Sequence, residues 1–323
     1  MRVLVVAAAA SMVGIGLGVA RPAAAQNECA AYNGSTPAAR VCHAAVDGTR
    51  AFHPVAGLLV SGGNPLLGSG GALGGLGHFA VTVRVNATRL VLPDVNYDGS
   101  TPTVRATDSL FAPAPLVEGA VGLFKGLRGG LLALDLLASA QLLPTTQIRN
   151  LTIEPGARRI GSVALGLGFG GRLGLVGESR SLPGISVSVM RRDIPQLRYG
   201  NVVAGDAYSY GVDVHATNLR LTIGKKLSVL ALAAGIGWDK YTGNAAVNFR
   251  DPGTGLPAPP ITITLDNSRT MAFADVGLDF RMIKLVAEAG YQAGKDQQLV
   301  TTFEGFDPTK GRFFAGAGLR VGL

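Results

Sequence analysis

Four histidines, His43, His53, His78 and His215, are the only imidazoles in the 323 residues, and one of them is spaced for chemistry. His215 shares a polar strand face with Asp213, and Ser209 lies nearby in sequence. A hydrolase built on such a set would pass a serine proton to the imidazole while an acid orients the ring. Ser209 and Asp213, however, stand about 13 Å apart along one strand. A nucleophile would have to come from another strand, and no catalytic residue is assigned. G-x-S-x-G, H-E-x-x-H and G-x-x-x-x-G-K-[ST] do not occur. Gly166-x-Gly168-x-x-Gly171 spells the dinucleotide fingerprint, but inside an alternating strand rather than at a strand-to-helix turn. Cys29 and Cys42, with His43 beside them, make an incomplete ligand set. Their plain reading in an exported chain is a disulfide, and neither metal nor cofactor is expected.

The richer chemistry lies in isolated charges of both signs. Arg84, Asn86, Arg172, Asp213, His215, Asp275, Asp279, Arg281, Glu288 and Arg320 fall on the polar faces of alternating segments. Enclosed in a lumen, such groups set the ion selectivity of a pore, or pair across it and brace a closed barrel.

The elements that would place them are strands. Period-two alternation marks a strand with two unlike faces. Phe79, Val81, Val83, Val85 and Ala87 oppose Thr82, Arg84, Asn86 and Thr88. Tyr208, Tyr210, Val212, Val214 and Ala216 oppose Ser209, Asp213, His215 and Thr217; Leu230, Leu232, Ala234, Ile236 and Trp238 oppose glycines, alanines and Asp239. Residues 272–282, 284–293 and 312–323 continue the theme, and 116–125 and 130–142 read as two further strands despite their leucines. Several segments exceed the 5–6 residues of a globular strand and reach the 9–11 or so of a membrane-crossing one. Phase changes near 217–219 and 266–270 indicate bulges or extensions beyond a bilayer rim. Gly224-Lys225-Lys226 and Ile283-Lys284 read as tight turns, whereas 93–108, 251–260 and 296–310 are long polar links. Phe79, Tyr208, Tyr210, Trp238, Tyr241 and Phe249 lie near strand ends, where interfacial aromatics sit. Thr36 as N-cap, Pro37 and Gly48 bound a short helix over 36–46.

The N-terminus reads as a secretory signal: Met1-Arg2, an apolar stretch over 3–20, then Ala23-Ala24-Ala25. This predicts a signal peptide over 1–25, a helical, disulfide-linked segment over 26–50 and a barrel over 51–323. Only 15% of the residues are charged and 46 are glycine, against about 25% charged in soluble domains; the surface is expected to face something other than water. The basic residues form no run, which excludes a nucleic-acid partner.

A sheet in lipid cannot leave an edge unpaired, so it must close. The expectation is an all-β, closed antiparallel transmembrane β-barrel of about 12 strands (range about 10–14), with a small N-terminal helical plug or cap. The signal peptide, long alternating strands and alternating C-terminal strand over 312–323 resemble bacterial outer-membrane β-barrel proteins. That family typically ends on an aromatic residue read by the barrel-assembly machinery; this chain ends on Leu323. The segment from Ala51 to Leu58 is similar to the start of the long-chain fatty-acid transporter barrels, whose Asn-Pro-Ala-Gly-Leu run it lacks. The resemblance implies outer-membrane lipid and the assembly machinery as partners, in the outer membrane of a bacterial cell. It implies a passive channel or transporter for small or apolar solutes; the alternatives are a structural or surface-interaction barrel, and an outer-membrane enzyme.

Overall fold

The structure is a computed structural model that describes residues 28–32, 34–145, 150–280 and 282–322. The signal-peptide reading, Arg281 and Leu323 lie outside the described residues. Ten long strands run antiparallel: β1 (Phe79–Pro93), β2 (Ala106–Phe124), β3 (Ala133–Pro144), β4 (Val163–Val176), β5 (Gly184–Tyr199), β6 (Tyr208–Leu227), β7 (Leu230–Phe249), β8 (Ile261–Phe280), β9 (Ile283–Gln292) and β10 (Arg312–Gly322). Each pairs with its neighbours in chain order, and β10 pairs with β1 from Thr88↔Phe314 to Ala80↔Gly322, which closes the barrel. Two short strands, Leu151–Ile153 and Arg159–Ile160, add to the sheet at β5 and β4 without entering the closed ring.

Ten strands rather than about twelve follow from strand length. β6, β7 and β8 take 20 residues each, about twice the 9–11 expected per strand, so the same chain makes fewer strands. The surplus rises past an apolar belt. Low on the strands, the outward positions are Phe79, Val81, Val83 and Val85 on β1, Leu219, Leu221 and Ile223 on β6, and Leu232, Ile236 and Trp238 on β7. Higher up, they are Arg191 and Asp193, Asp213, His215 and Thr217, Lys240 and Thr242, and Asp266 and Ser268. Exposed Phe111, Trp238, Tyr291 and Phe313 mark the belt's upper rim, and Phe79, Phe124 and Phe280 its lower one.

The apparent phase changes near 217–219 and 266–270 are therefore not bulges. The ladders run unbroken through Trp238↔Leu219, Asp239↔Asn218 and Asp239↔Arg269. What changes is the content of each face. Above the belt, Tyr208, Tyr210, Val212, Val214, Ala216, Tyr241, Val247 and Phe249 point inward and are buried. Expected as interfacial aromatics, Tyr208, Tyr210, Tyr241 and Phe249 instead line the lumen, because a helix fills it.

That helix, α1 (Pro37–Ser61), is 25 residues long and starts as expected, with the Thr36 side chain accepting from the Ala39 amide and Pro37 in the first turn. It continues through Gly48 and Pro54 rather than ending near 46. Gly57 serves close approach, since a Cβ there would sit 2.3 Å from the Tyr241 ring, whereas one on Gly48 would fit at 3.5 Å from Tyr210. Pro54 donates no hydrogen bond to the Arg50 carbonyl; the Gln297 side chain does so at 2.6 Å. Gly62 closes the helix at φ 58°. Residues 62–78 then descend the lumen, and the first barrel strand begins at Phe79, where the alternation starts. No described helix is long and apolar enough to cross a membrane.

The chain enters the lumen at the rim with the long links. There Arg40 donates to the Gly99 carbonyl (3.0 Å), and Asp47 accepts from the Val300 and Thr301 amides (2.8 Å each). It leaves at the tight-turn rim, where the Gly122 amide bonds the His78 carbonyl. Cys29 and Cys42 form the expected disulfide across 13 residues. Closing a loop of that length contributes about 3 kcal/mol in the chain-entropy account. A Cys29→Ser/Cys42→Ser variant is expected to lose up to that amount, with hydrogen exchange rising over 36–46 while β1–β10 keep their protection.

Candidate functional site

Two features of the barrel carry functional chemistry: a charged girdle that grips the descending segment, and an apolar cavity beside α1 where the wall opens.

The girdle is built on inward strand positions at mid-height. Arg84 on β1 pairs with Glu118 on β2 at 3.2 Å and with Glu288 on β9 at 3.7 Å; Arg192 on β5 reaches Glu118 at 2.8 Å. Arg220 on β6 meets Asp239 on β7 at 2.6 Å, and Arg172 on β4 meets Asp135 on β3 at 2.7 Å. All are buried, and Arg84, Arg220, Glu288 and Asp135 also bond the backbone of the plug. Arg84 donates to the carbonyls of Ser61 and Asn64, and Arg220 to those of Gly62 and Gly63. Glu288 accepts from the Gly63 and Asn64 amides at 2.9 and 2.6 Å, Asp275 from Asn64 and Gly68, and Asp135 from Leu73. Segment 62–73 has no regular structure of its own, so its buried peptide groups need these partners.

Of the residues placed in the lumen by sequence, Arg84, Asn86, Arg172, Asp275 and Glu288 face inward and join this girdle; Asn86 donates to the Leu59 carbonyl at 3.1 Å. Arg320 faces inward near the lower rim and donates to the Leu67 carbonyl at 3.2 Å; Asp279 pairs there with Lys226 at 2.6 Å. Asp213 and His215 do not face the lumen. They share the outward parity of Leu219 and Leu221, and His215 meets the exposed Asp193 at 2.6 Å. The inference failed because the greasy side of β6 at that height packs on α1, which reverses the two faces. Glu118, Asp135, Arg192, Arg220 and Asp239 are girdle members that the sequence reading did not select. Extending the inward parity of Ser186 and Ser188 to Arg192 would have found one. Glu118 lies in 116–125, which reads as a strand, but no inward face was assigned to it.

The cavity, of about 560 Å³, lies between α1 and the upper wall. Phe52, Val55, Ala56, Leu59 and Val60 of the helix form one side, and inward Leu90, Leu92, Ala112 and Ala114 the other. Outward Val85, Pro113 and Pro115 also border it, so it passes through the wall. The ladders show where. β2 stays paired with β1 through Val85↔Pro115 and Ala87↔Pro113, but its pairing with β3 stops at Leu116↔Gln141. Prolines within a sheet sit where the missing N–H faces no partner. Spaced by two, Pro113 and Pro115 strip donors from the same edge, the one toward β3, whose own end is Pro144. The gap opens level with Val85, near the top of the apolar belt.

His53, on α1 at the height of Tyr241, is buried among apolar groups. Burial lowers its pKa from 6.5 to about 4, opposed by the Thr242 carbonyl and Asp266 and reinforced by His215. The imidazole is neutral when folded. As pH falls from 6.5 toward 4 the unfolded chain takes up a proton that the folded one refuses, so stability falls, by at most about 3 kcal/mol. Above 6.5 this contribution is constant. Thermal unfolding measured across that window should show the loss, and His53→Gln should flatten it.

A closed antiparallel barrel with an outward apolar belt between aromatic rims and a polar, occupied interior is the architecture of the bacterial outer-membrane β-barrels. Solved barrels of that class are similar to the chain. The translocator domain of autotransporter NalP from Neisseria meningitidis matches 86% of this chain and 95% of its own at 11% identity, TM-score 0.35. The N-terminal β-barrel domain of Pseudomonas aeruginosa OprF matches 49% and 87% at 12% identity, TM-score 0.24. A TodX monoaromatic hydrocarbon channel variant matches 76% and 89% at 10% identity, TM-score 0.31. At such scores the class rests on the barrel's own closure and belt. No protein-family model and no curated protein matches the chain.

Proposed function

We propose that this chain sits in a bacterial outer membrane and takes small apolar solutes from the bilayer into the cavity beside α1 through the gap between β2 and β3. The observation that carries this reading is the through-wall cavity itself: about 560 Å³, lined almost wholly by aliphatic side chains and Phe52, at a place where two prolines interrupt the ladder. Apolar pockets of several hundred Å³ with few polar groups are the ordinary form of a small-ligand site. The girdle argues against ionic conduction in this state, since the charges that would line a pore are spent on ion pairs and plug peptides. Onward movement would require α1 to shift, so binding precedes any transport.

A second reading, a permanently closed structural barrel, is favoured by the extent of that same girdle. Binding of an environment-sensitive apolar fluorophore to the protein in micelles separates the two. The first reading expects saturable binding that Ala56→Trp abolishes; binding that is absent, or indifferent to that substitution, leaves the structural barrel.

A further inference from the structure

A second wall feature, independent of the solute cavity, stands where β1 outruns β10. The ladder between them ends at Thr88↔Phe314, and the space above it is a groove of about 540 Å³ between β1, β2 and the link from β9 to β10. Arg89, Lys310 and Arg312 line it, against a single carboxylate, Asp307, which Lys310 and Thr309 already engage. Arg312 donates to the Arg89 carbonyl at 3.4 Å, which holds the two arginines together, and its guanidinium lies 4.6 Å over the Phe306 ring. Arg89 is fixed by the Ser109 hydroxyl at 2.8 Å. Phe111, the cross-strand partner of Arg89, and Phe313, next to Arg312, stand at the same level, 69% and 75% exposed, at the upper rim of the apolar belt.

We propose that this groove binds the phosphorylated headgroup of a membrane lipid in the leaflet on the long-link side, with its acyl chains descending over Phe111 and Phe313. Charge and position argue it together. Three cations against one engaged acid leave an excess positive charge at headgroup height. Guanidinium groups are the side chains best matched to phosphate oxygens. Exposed phenylalanines flanking Arg89 have no aqueous rationale, but they suit contact with the first methylenes of a lipid. A soluble anion would use the cations and leave the phenylalanines idle.

The test is native mass spectrometry and a binding titration on the full chain in micelles. The probes are diphosphorylated lipid A, its dephosphorylated counterpart and inorganic phosphate. The expected result is retention of the phosphorylated lipid, about tenfold or greater weakening on dephosphorylation, and a similar loss in Arg89→Gln/Lys310→Gln. Equal retention of both lipids overturns the proposal, and so does inorganic phosphate that displaces the lipid at equal concentration. Changing the lipid leaves the protein intact, so the result stands even where the double variant fails to fold.

Discussion

Glu118→Ala is expected to destabilise the barrel by about 3–5 kcal/mol, because it removes one carboxylate and strands two buried guanidiniums. Glu118 is the common partner of Arg84 and Arg192, at 3.2 and 2.8 Å. Arg192 keeps only the Asn218 amide oxygen and the Met190 sulfur as side-chain acceptors. Arg84 retains Glu288, at the longer 3.7 Å, and the two plug carbonyls. Unfolding in denaturant should show the loss, and Glu118→Gln, which still accepts hydrogen bonds, should lose less. The consequence for the lumen is the more informative part. Arg84 grips Ser61 and Asn64, and a guanidinium released toward other partners loosens that grip. The variant is expected to show channel openings in planar bilayers that the unaltered protein lacks. A Glu118→Ala protein within about 1 kcal/mol of the original, and equally silent, would show that the girdle does not hold the plug.

How far the sequence disclosed this arrangement depends on height along the strands. At belt level the alternation reads correctly. Val81, Val83 and Val85 face out and Thr82, Arg84 and Asn86 face in; the same holds for Val276 and Leu278 against Asp275. There, the apolar residues of these strands point outward and the polar ones inward. Above the belt the outside is water and the inside is a helix. The same two-residue pattern then means the opposite, and Asp213 and His215 were assigned to the wrong face. Alternation fixes that two faces differ; it does not say which one is enclosed. The plug was harder still. Residues 62–78 are rich in glycine with no periodicity, because their peptide groups are satisfied by strand side chains distant in sequence, such as Glu288 and Arg220. Locally, helix α1 reads as ending near 46, because Gly48 is ordinarily a terminator. Its continuation rests on contacts no local window contains: the Tyr241 ring against Gly57 and the Gln297 amide on the Arg50 carbonyl that Pro54 leaves open.

Restoring the two lost donors is expected to close the wall. In Pro113→Val/Pro115→Val, β2 regains N–H groups on the edge toward β3. Extending the register from Leu116↔Gln141 sets position 115 opposite Leu142 and position 114 opposite Leu143. Valine suits a strand that packs on both faces, and each new ladder bond contributes about 0.5–1.5 kcal/mol. The variant should therefore be at least as stable as the original, which distinguishes it from substitutions that act by damage. The same zippering seals the gap at the level of Val85, so uptake of an apolar fluorophore from the bilayer should slow by about tenfold or more, the cost of opening two such bonds. Ala56→Trp fills the cavity from the helix side and is expected to abolish equilibrium binding, whereas the double valine should slow entry while leaving affinity largely intact. Unchanged entry in a double-valine protein whose amides at 113 and 115 are protected from exchange would mean that solutes reach the cavity by another path, from the long-link rim along α1.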